Sequence, residues 1–313
     1  MPFLAPIGSA IAGALGGVFS FLGGGSLLAK IVVMGLSIAA RYAVSALLGQ
    51  DERKPQAQAS QLETRYGEDL ARSVVLGTVG TAGHHVYRNA YGKGNTTVQD
   101  VYVLSHFRIT DVPRIQVEGE WRTIGGALNA ERGYRVQGIA GQIWVKVYHG
   151  TMDQAADAGL ISRSNPAGRW TSDHRGAGVA YAIVTSVLDK EHLRAPWQGM
   201  FEVKGAPLYD WRKDTTVGGS GAHRWADQST WEYSENPVVQ MYALERGIYN
   251  GTELMVGKGV DASDLPLSQW TAAANICDEE IALIARYRAS CIVSSGSGVT
   301  HDANMQPLLE ACA

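Results

Sequence analysis

The chain has 313 residues, 45% of them hydrophobic and 18% charged, with a net charge of −3 and 37 glycines. That length supports two or three domains with cores of their own, and the charge balance leaves no basic footprint for duplex nucleic acid. Three cysteines, Cys277, Cys291 and Cys312, form neither a CxxC pair nor a disulfide framework, so they read as reduced or buried thiols.

Residues 1–49 differ in kind from the rest: only Lys30 and Arg41 are charged before Asp51. A secretory signal needs a basic start, which Met1-Pro2-Phe3-Leu4 lacks. Gly8, Ala12 and Gly16 recur at four-residue spacing, and Ser26 to Leu48 makes a better helix of roughly 33 Å, near the thickness of a bilayer core. At 100° per residue Ser26, Lys30, Ser37 and Arg41 fall in one narrow stripe. Gly35, Ala39 and Ala43 form a small-residue ridge that lets another helix come close. Three placements fit: a membrane span, a helix in a protein bundle, or a helix lining an oligomer's pore with its polar stripe inward. Residues 50–60 are a polar linker.

From Gln61 the period changes from helical to alternating. Strands are predicted at 72–78, 85–89, 98–107, 114–117 and 121–124, with a hairpin turn at Glu118-Gly119-Glu120, and at 143–148. Val101/Val103 and Tyr102/Leu104 are apolar on both sides, as in a strand covered on both faces. Residues 149–205 read as a small α+β insert: a short helix through Ala158 capped by Thr151 or Asp153, then strands over 177–188 and 201–205. In residues 206–313, Asn236-Pro237 opens a helix that Gly247 closes. Leu267, Trp270, Ala274, Cys277 and Ile281 give a second helix one apolar face. A strand over 286–293 and a helix from Asn304 follow; the helix runs to the last residue without a cap, which reads as the end of a fragment.

Three stretches then carry a resemblance. They are Trp170-Thr171-Ser172-Asp173-His174-Arg175-Gly176 with Ala180-Tyr181-Ala182; Val203-Lys204-Gly205 running to Tyr209-Asp210-Trp211-Arg212; and Asn236-Pro237 followed by Ala273-Ala274-Asn275-Ile276-Cys277-Asp278-Glu279. In this order they resemble the phage tail-tip and baseplate hub proteins, the family of the lambda-type host-specificity protein and its gene transfer agent relatives. The agreement covers roughly Gln61 to the C-terminus.

The resemblance implies a mainly β, α+β fold: a β-barrel-like hub domain interrupted by the insert and preceded by the apolar helical segment. It implies a non-enzymatic structural protein of a virion, at the distal end of the tail, acting in genome ejection. A homotrimer would close the tail tube, meeting the distal tube-protein ring, the C-terminus of the tape-measure protein and tail fibre or tip proteins. Lys30 and Arg41 would face the lumen, and contact of residues 1–49 with a host membrane during delivery stays open. No sequence-specific nucleic-acid partner and no cofactor is implied. Two rivals remain, a membrane-anchored surface protein and a tail-borne cell-wall hydrolase.

Chemistry was sought directly. His84-His85 point to opposite faces of a strand; His149, Asp153 and Asp157, or Asp173 and His174, lack metal-ligand spacing and read as exposed loop polars. Cys291 and His301 are the nearest thiol–imidazole pair, with Cys291 in a buried strand. Gly218-Gly219-Ser220-Gly221 and Gly296-Ser297-Gly298 lack phosphate-loop spacing, and Asn95-Thr96-Thr97 and Asn250-Gly251-Thr252 match only the short glycosylation pattern. Asp210 and Asp214 flank Trp211. Trp170, Trp197, Trp211, Trp225 and Trp231 lie in loop-like surroundings and read first as anchors for long loops. Residues 215–231, with Trp211, Trp225 and Trp231, are the candidate inter-subunit loop.

Overall fold

A computed structural model describes residues 71–296 and 298–312. The apolar segment 1–49, its stripe Ser26, Lys30, Ser37 and Arg41, and the linker 50–60 lie outside the described residues. The stretch predicted as one strand over 72–78 divides at Gly77. Its φ of 67° lies in the left-handed region, and a Cβ there would meet the Ala289 carbonyl at 2.4 Å. β1 (Arg72–Leu76) turns off to one side, while β2 (Thr78–Thr81) enters the main sheet.

The strands that follow are β3 (His84–Tyr91), β4 (Thr97–Ser105), β5 (Asp111–Val117), β6 (Glu120–Asn129), β7 (Gly133–Val136), β8 (Gln142–His149), β9 (Ala180–Val187) and β10 (Phe201–Lys204). They form a nine-stranded antiparallel sheet with β2, in the order β2-β10-β5-β6-β7-β8-β9-β4-β3. β2 and β3 end that order, yet only Ala82 and Gly83 separate them in the chain. Flat, nine strands at about 4.8 Å spacing would hold them roughly 38 Å apart, and a three-bond step reaches only about 11 Å. The sheet must therefore curl until its two edges meet at that corner. β6 supplies part of the curl: its first half pairs with β5 and its second with β7, across a register shift between Ile124 and Leu128 that contains Gly125 and Gly126.

Inside the half-barrel so made sits the main core, with Val79, Tyr102, Leu104, Ile115, Ile143, Val184, Phe201 and Val203 drawn from both ends of the sheet. β4 is covered on both faces as its sequence predicts: Tyr102 and Leu104 pack into this core, and Val101 into a second cluster with Leu160, Trp170, Tyr181 and Ile183. The turn at Glu118-Gly119 joins β5 to β6 through two left-handed residues, φ 54° and 84°. β9 lies between β8 and β4, and β10 between β2 and β5, so strands from residues 149–205 are laid into the same sheet as those before them. The short helix starts later than Thr151 or Asp153 would start it: α1 (Ala158–Arg163) is capped by Asp157, which accepts from the Leu160 amide.

Beyond the sheet come β11 (Pro207–Leu208), β12 (Glu232–Tyr233), α2 (Pro237–Arg246), β13 (Ile248–Asn250), β14 (Glu253–Val256), α3 (Leu267–Asp278), β15 (Glu280–Ile281), β16 (Ile284–Ala285), β17 (Cys291–Ser295) and α4 (His301–Glu310). α2 keeps its predicted ends. α3 stops at Asp278, so Ile281 belongs to an exposed hairpin and not to the helix's buried face of Trp270, Ala274 and Cys277. The strand predicted from Arg286 begins only at Cys291, because the backbone of Ala289 is already bonded to Glu235 and Gln240. β17 then pairs with β1. α4 begins three residues before Asn304, capped by Thr300. No helix among the described residues is long and apolar enough to cross a membrane.

Candidate functional site: a loop clasp and its cleft

The loop between β11 and β12 is built from aspartate-capped turns. Asp210, Asp214 and Asp227 each open a short 3-10 turn by accepting from the amide two residues on. Tryptophans hold these turns down. Trp211 donates from Nε1 to Thr271 Oγ1 at 2.8 Å and packs on Tyr242 and Trp270, with ring centroids 4.4 and 6.4 Å away. Trp231 donates to the Arg224 carbonyl at 2.8 Å. Both rings are buried, as are Trp170 and Trp197, so these indoles serve as anchors. Of the three tryptophans assigned to a subunit contact, only Trp225 reaches the surface, under the Arg246 guanidinium at 4.2 Å.

Arg212 ties this loop to α3. It grips Asp210 with two bonds, Nε to Oδ1 at 3.0 Å and Nη2 to Oδ2 at 2.7 Å, and reaches Asn275 at 3.0 Å and Asp278 at 2.8 Å through Nη1. Asn236 makes a second tie. Its Oδ1 accepts from the Val238 and Val239 amides at 2.9 and 3.2 Å, and its Nδ2 donates to the Ala274 carbonyl at 2.9 Å. Three stretches far apart in sequence, Tyr209–Arg212, Asn236-Pro237 and Ala273–Glu279, thus meet in one hydrogen-bonded clasp.

The clasp consumes the carboxylates that flank Trp211. Asp210 is spent on Arg212. Asp214 accepts from the Tyr209 hydroxyl at 2.8 Å, the Thr216 hydroxyl at 2.6 Å and the Arg224 guanidinium at 3.0 Å. Burial works against its charged form, yet these donors outweigh it and hold the carboxyl below the usual range.

Beside the clasp lies a cleft of about 240 Å³, lined by His223, Glu232, Lys213, Arg212, Asp278 and Arg288 among others. His223 forms its floor. The Asp210 amide donates to His223 Nδ1 at 3.0 Å, so the neutral ring carries its proton on Nε2. Nε2 is buried with no hydrogen-bond partner, and Glu232 Oε2 stands off at 3.8 Å. Burial pushes the imidazole's pKa down. Glu232 itself is held by Lys213 Nζ at 2.5 Å and stays largely in solvent.

The remaining candidates are dispersed. Asp157 is fully buried and accepts from Lys146 at 2.6 Å, Tyr148 at 2.8 Å and the Leu160 amide at 2.7 Å, so it is a structural anion and not an exposed loop residue. His174 contacts Thr171 at 3.0 Å and stacks on Trp170 at 5.0 Å. His85 pairs with buried Asp100 at 2.7 Å. Burial raises the Cys291 thiol to about 12, and His301 is turned to Glu245 at 3.0 Å. Among the described residues, no group of three or more His, Cys, Asp or Glu side chains is placed to hold a metal ion.

Two features escape sequence reasoning. His223 gives no local signal, because its role follows from a backbone contact thirteen residues back. The β15–β16 hairpin carries Ile281, Leu283 and Ile284 in solvent, with Leu283 89% exposed. Its turn residues Ala282 and Leu283 have φ of 53° and 67° without being glycine, and that run of apolar residues between two paired carboxyl-terminal strands was the available clue.

No protein-family model matches the chain, and no curated protein does. Among solved structures it is similar to a chain described as belonging to the virion of a native gene transfer agent particle, at 20% identity and a TM-score of 0.39. The match covers 90% of this chain and 60% of that one, so this chain spans less than two thirds of its length.

Proposed function

We propose that this protein is a structural component of a phage-like particle, the baseplate or tail-tip hub, assembled as a trimeric ring that closes the tail tube. One observation carries this reading. Two of the three stretches by which the sequence resembles the hub family meet, through Tyr209–Arg212, Asn236-Pro237 and Ala273–Glu279, in one clasp, with Arg212 bonded to Asp210, Asn275 and Asp278 and Asn236 bonded to Ala274. The clasp is a rigid device, and its partners leave no free carboxylate pair within it for acid–base work.

In such a ring each subunit presents one surface to the next, and the association closes on itself. The apolar hairpin Glu280–Ala285 and the partly buried Trp225 are the surfaces this reading assigns to the subunit contact. The tube ring, the tape-measure C-terminus and the fibre or tip proteins are the partners it assigns above and below, with residues 1–49 toward the axis. Mass photometry of the purified chain tests it: the expected species has three times the 33.6 kDa of one chain. Negative-stain images should show threefold rings. A monomer at every concentration, or particles that assemble without this chain, would overturn it.

A further inference from the structure

The geometry points to a carboxylate-binding site in the cleft floored by His223, where Lys213 and the His223 Nε2–H would together hold a carboxylate that replaces the chain's own Glu232. Three observations carry this. First, His223 is only 3% exposed, and its Nε2 makes no hydrogen bond, the Glu232 carboxylate at 3.8 Å being too far for one. A buried donor left without a hydrogen bond is destabilising, so an acceptor is called for. Second, the acceptor nearest in kind is already a carboxylate: Glu232 bonds Lys213 at 2.5 Å but stops 3.8 Å short of Nε2. It satisfies one donor of the pair and misses the other. Third, the Glu232 side chain is 61% exposed and sits on the two-residue strand β12, so it can swing out without disturbing the core.

A carboxylate entering from solvent is not bound by the backbone of β12 and can take both donors. The tautomer keeps the site selective for an acceptor. His223 Nδ1 accepts from the Asp210 amide, so the ring offers a donor and not a lone pair to the cleft, which disfavours a metal cation there. The opposite wall is acidic at Asp278 and Glu235, and those groups are engaged by Arg212 and Arg288. The ligand class is therefore a carboxylate, from either a free small acid or an acidic side chain on a partner protein. The inference does not depend on ring assembly, because binding is scored on the single chain.

The test is a ¹⁵N histidine-ring NMR titration of the full chain with sodium acetate in one arm and a short capped Gly-Glu-Gly peptide in the other. The His223 signal is assigned by its absence from His223→Gln. The wild type should show a saturable His223 shift. In Glu232→Ala the internal competitor is gone, so the midpoint should fall at least about threefold. In Lys213→Met it should rise about tenfold, with the near-ultraviolet tryptophan spectrum unchanged as the control for folding. Saturation by acetate and peptide alike identifies a free-acid site; saturation by the peptide alone identifies a partner's side chain, and both uphold the site. No saturable shift with either titrant in Glu232→Ala, or equal midpoints in Glu232→Ala and Lys213→Met, overturns it.

Discussion

Leu283 bears two costs without a return inside the described chain. Its φ of 67° puts an L side chain in the left-handed region, worth roughly 1–2 kcal/mol, and 89% of it faces solvent. Replacing it with glycine removes the strain and loses almost no packing, although glycine adds freedom to the unfolded chain. Leu283→Gly should therefore leave the urea stability of the isolated chain unchanged or raise it by up to about 1 kcal/mol. The same substitution should abolish the trimer in mass photometry; a variant that still trimerises would remove the hairpin from the contact. Asp157 is the opposite case, because everything it does is internal. Asp157→Ala strips the cap from α1 and leaves the Lys146 ammonium without its anion, so a loss of about 3 kcal/mol in urea melts is expected. A loss below about 1 kcal/mol would mean that Lys146 escapes to water freely.

Helices α2 and α3 are coupled by Asn236, which caps one and bonds the other. The cap is worth about 1 kcal/mol and the second bond about 1 more, so Asn236→Ala should lower stability by about 2 kcal/mol in urea. Asn236→Ser keeps a capping oxygen and loses the bond to Ala274, and should recover about half. Elements of this kind are legible in the sequence because their chemistry is local: Asn236-Pro237 and Gly247 state both ends of α2 within twelve residues, and β4 announces two covered faces by its apolar run from Val101 to Leu104. What the sequence hides is set by distant partners. Thr151, Asp153 and Asp157 are all competent caps, and Asp157 wins because Lys146 and Tyr148 are there to share its charge. Gly77 splits a strand because Ala289, over two hundred residues on, leaves no room for a Cβ. His223 becomes an unpaired donor only once the Asp210 amide has taken its other nitrogen.

For the molecule as a whole, two histidines that accept from backbone amides resist protonation, and this shapes the response to acid. Burial depresses the pKa of His106, whose Nδ1 accepts from the Ser73 amide at 3.1 Å, and of His223. The unfolded chain takes up a proton at each near the ordinary histidine value of about 6.5, before the folded chain does. Stability is therefore level above about pH 6.5 and declines as pH falls below it and through the lower folded values. Asp214 and Glu232 behave differently. Both are depressed, Asp214 by donors that overcome its burial and Glu232 chiefly by Lys213, so their contributions persist until pH drops below the unfolded carboxylate values of about 4. Urea midpoints measured from pH 8 to pH 3 should accordingly fall in two stages, one beginning near pH 6.5 and one below about pH 4. The double variant His106→Gln with His223→Gln should flatten the first stage and spare the second, since glutamine can accept from the same amides and does not titrate. Persistence of the first stage in that variant would overturn its assignment to His106 and His223.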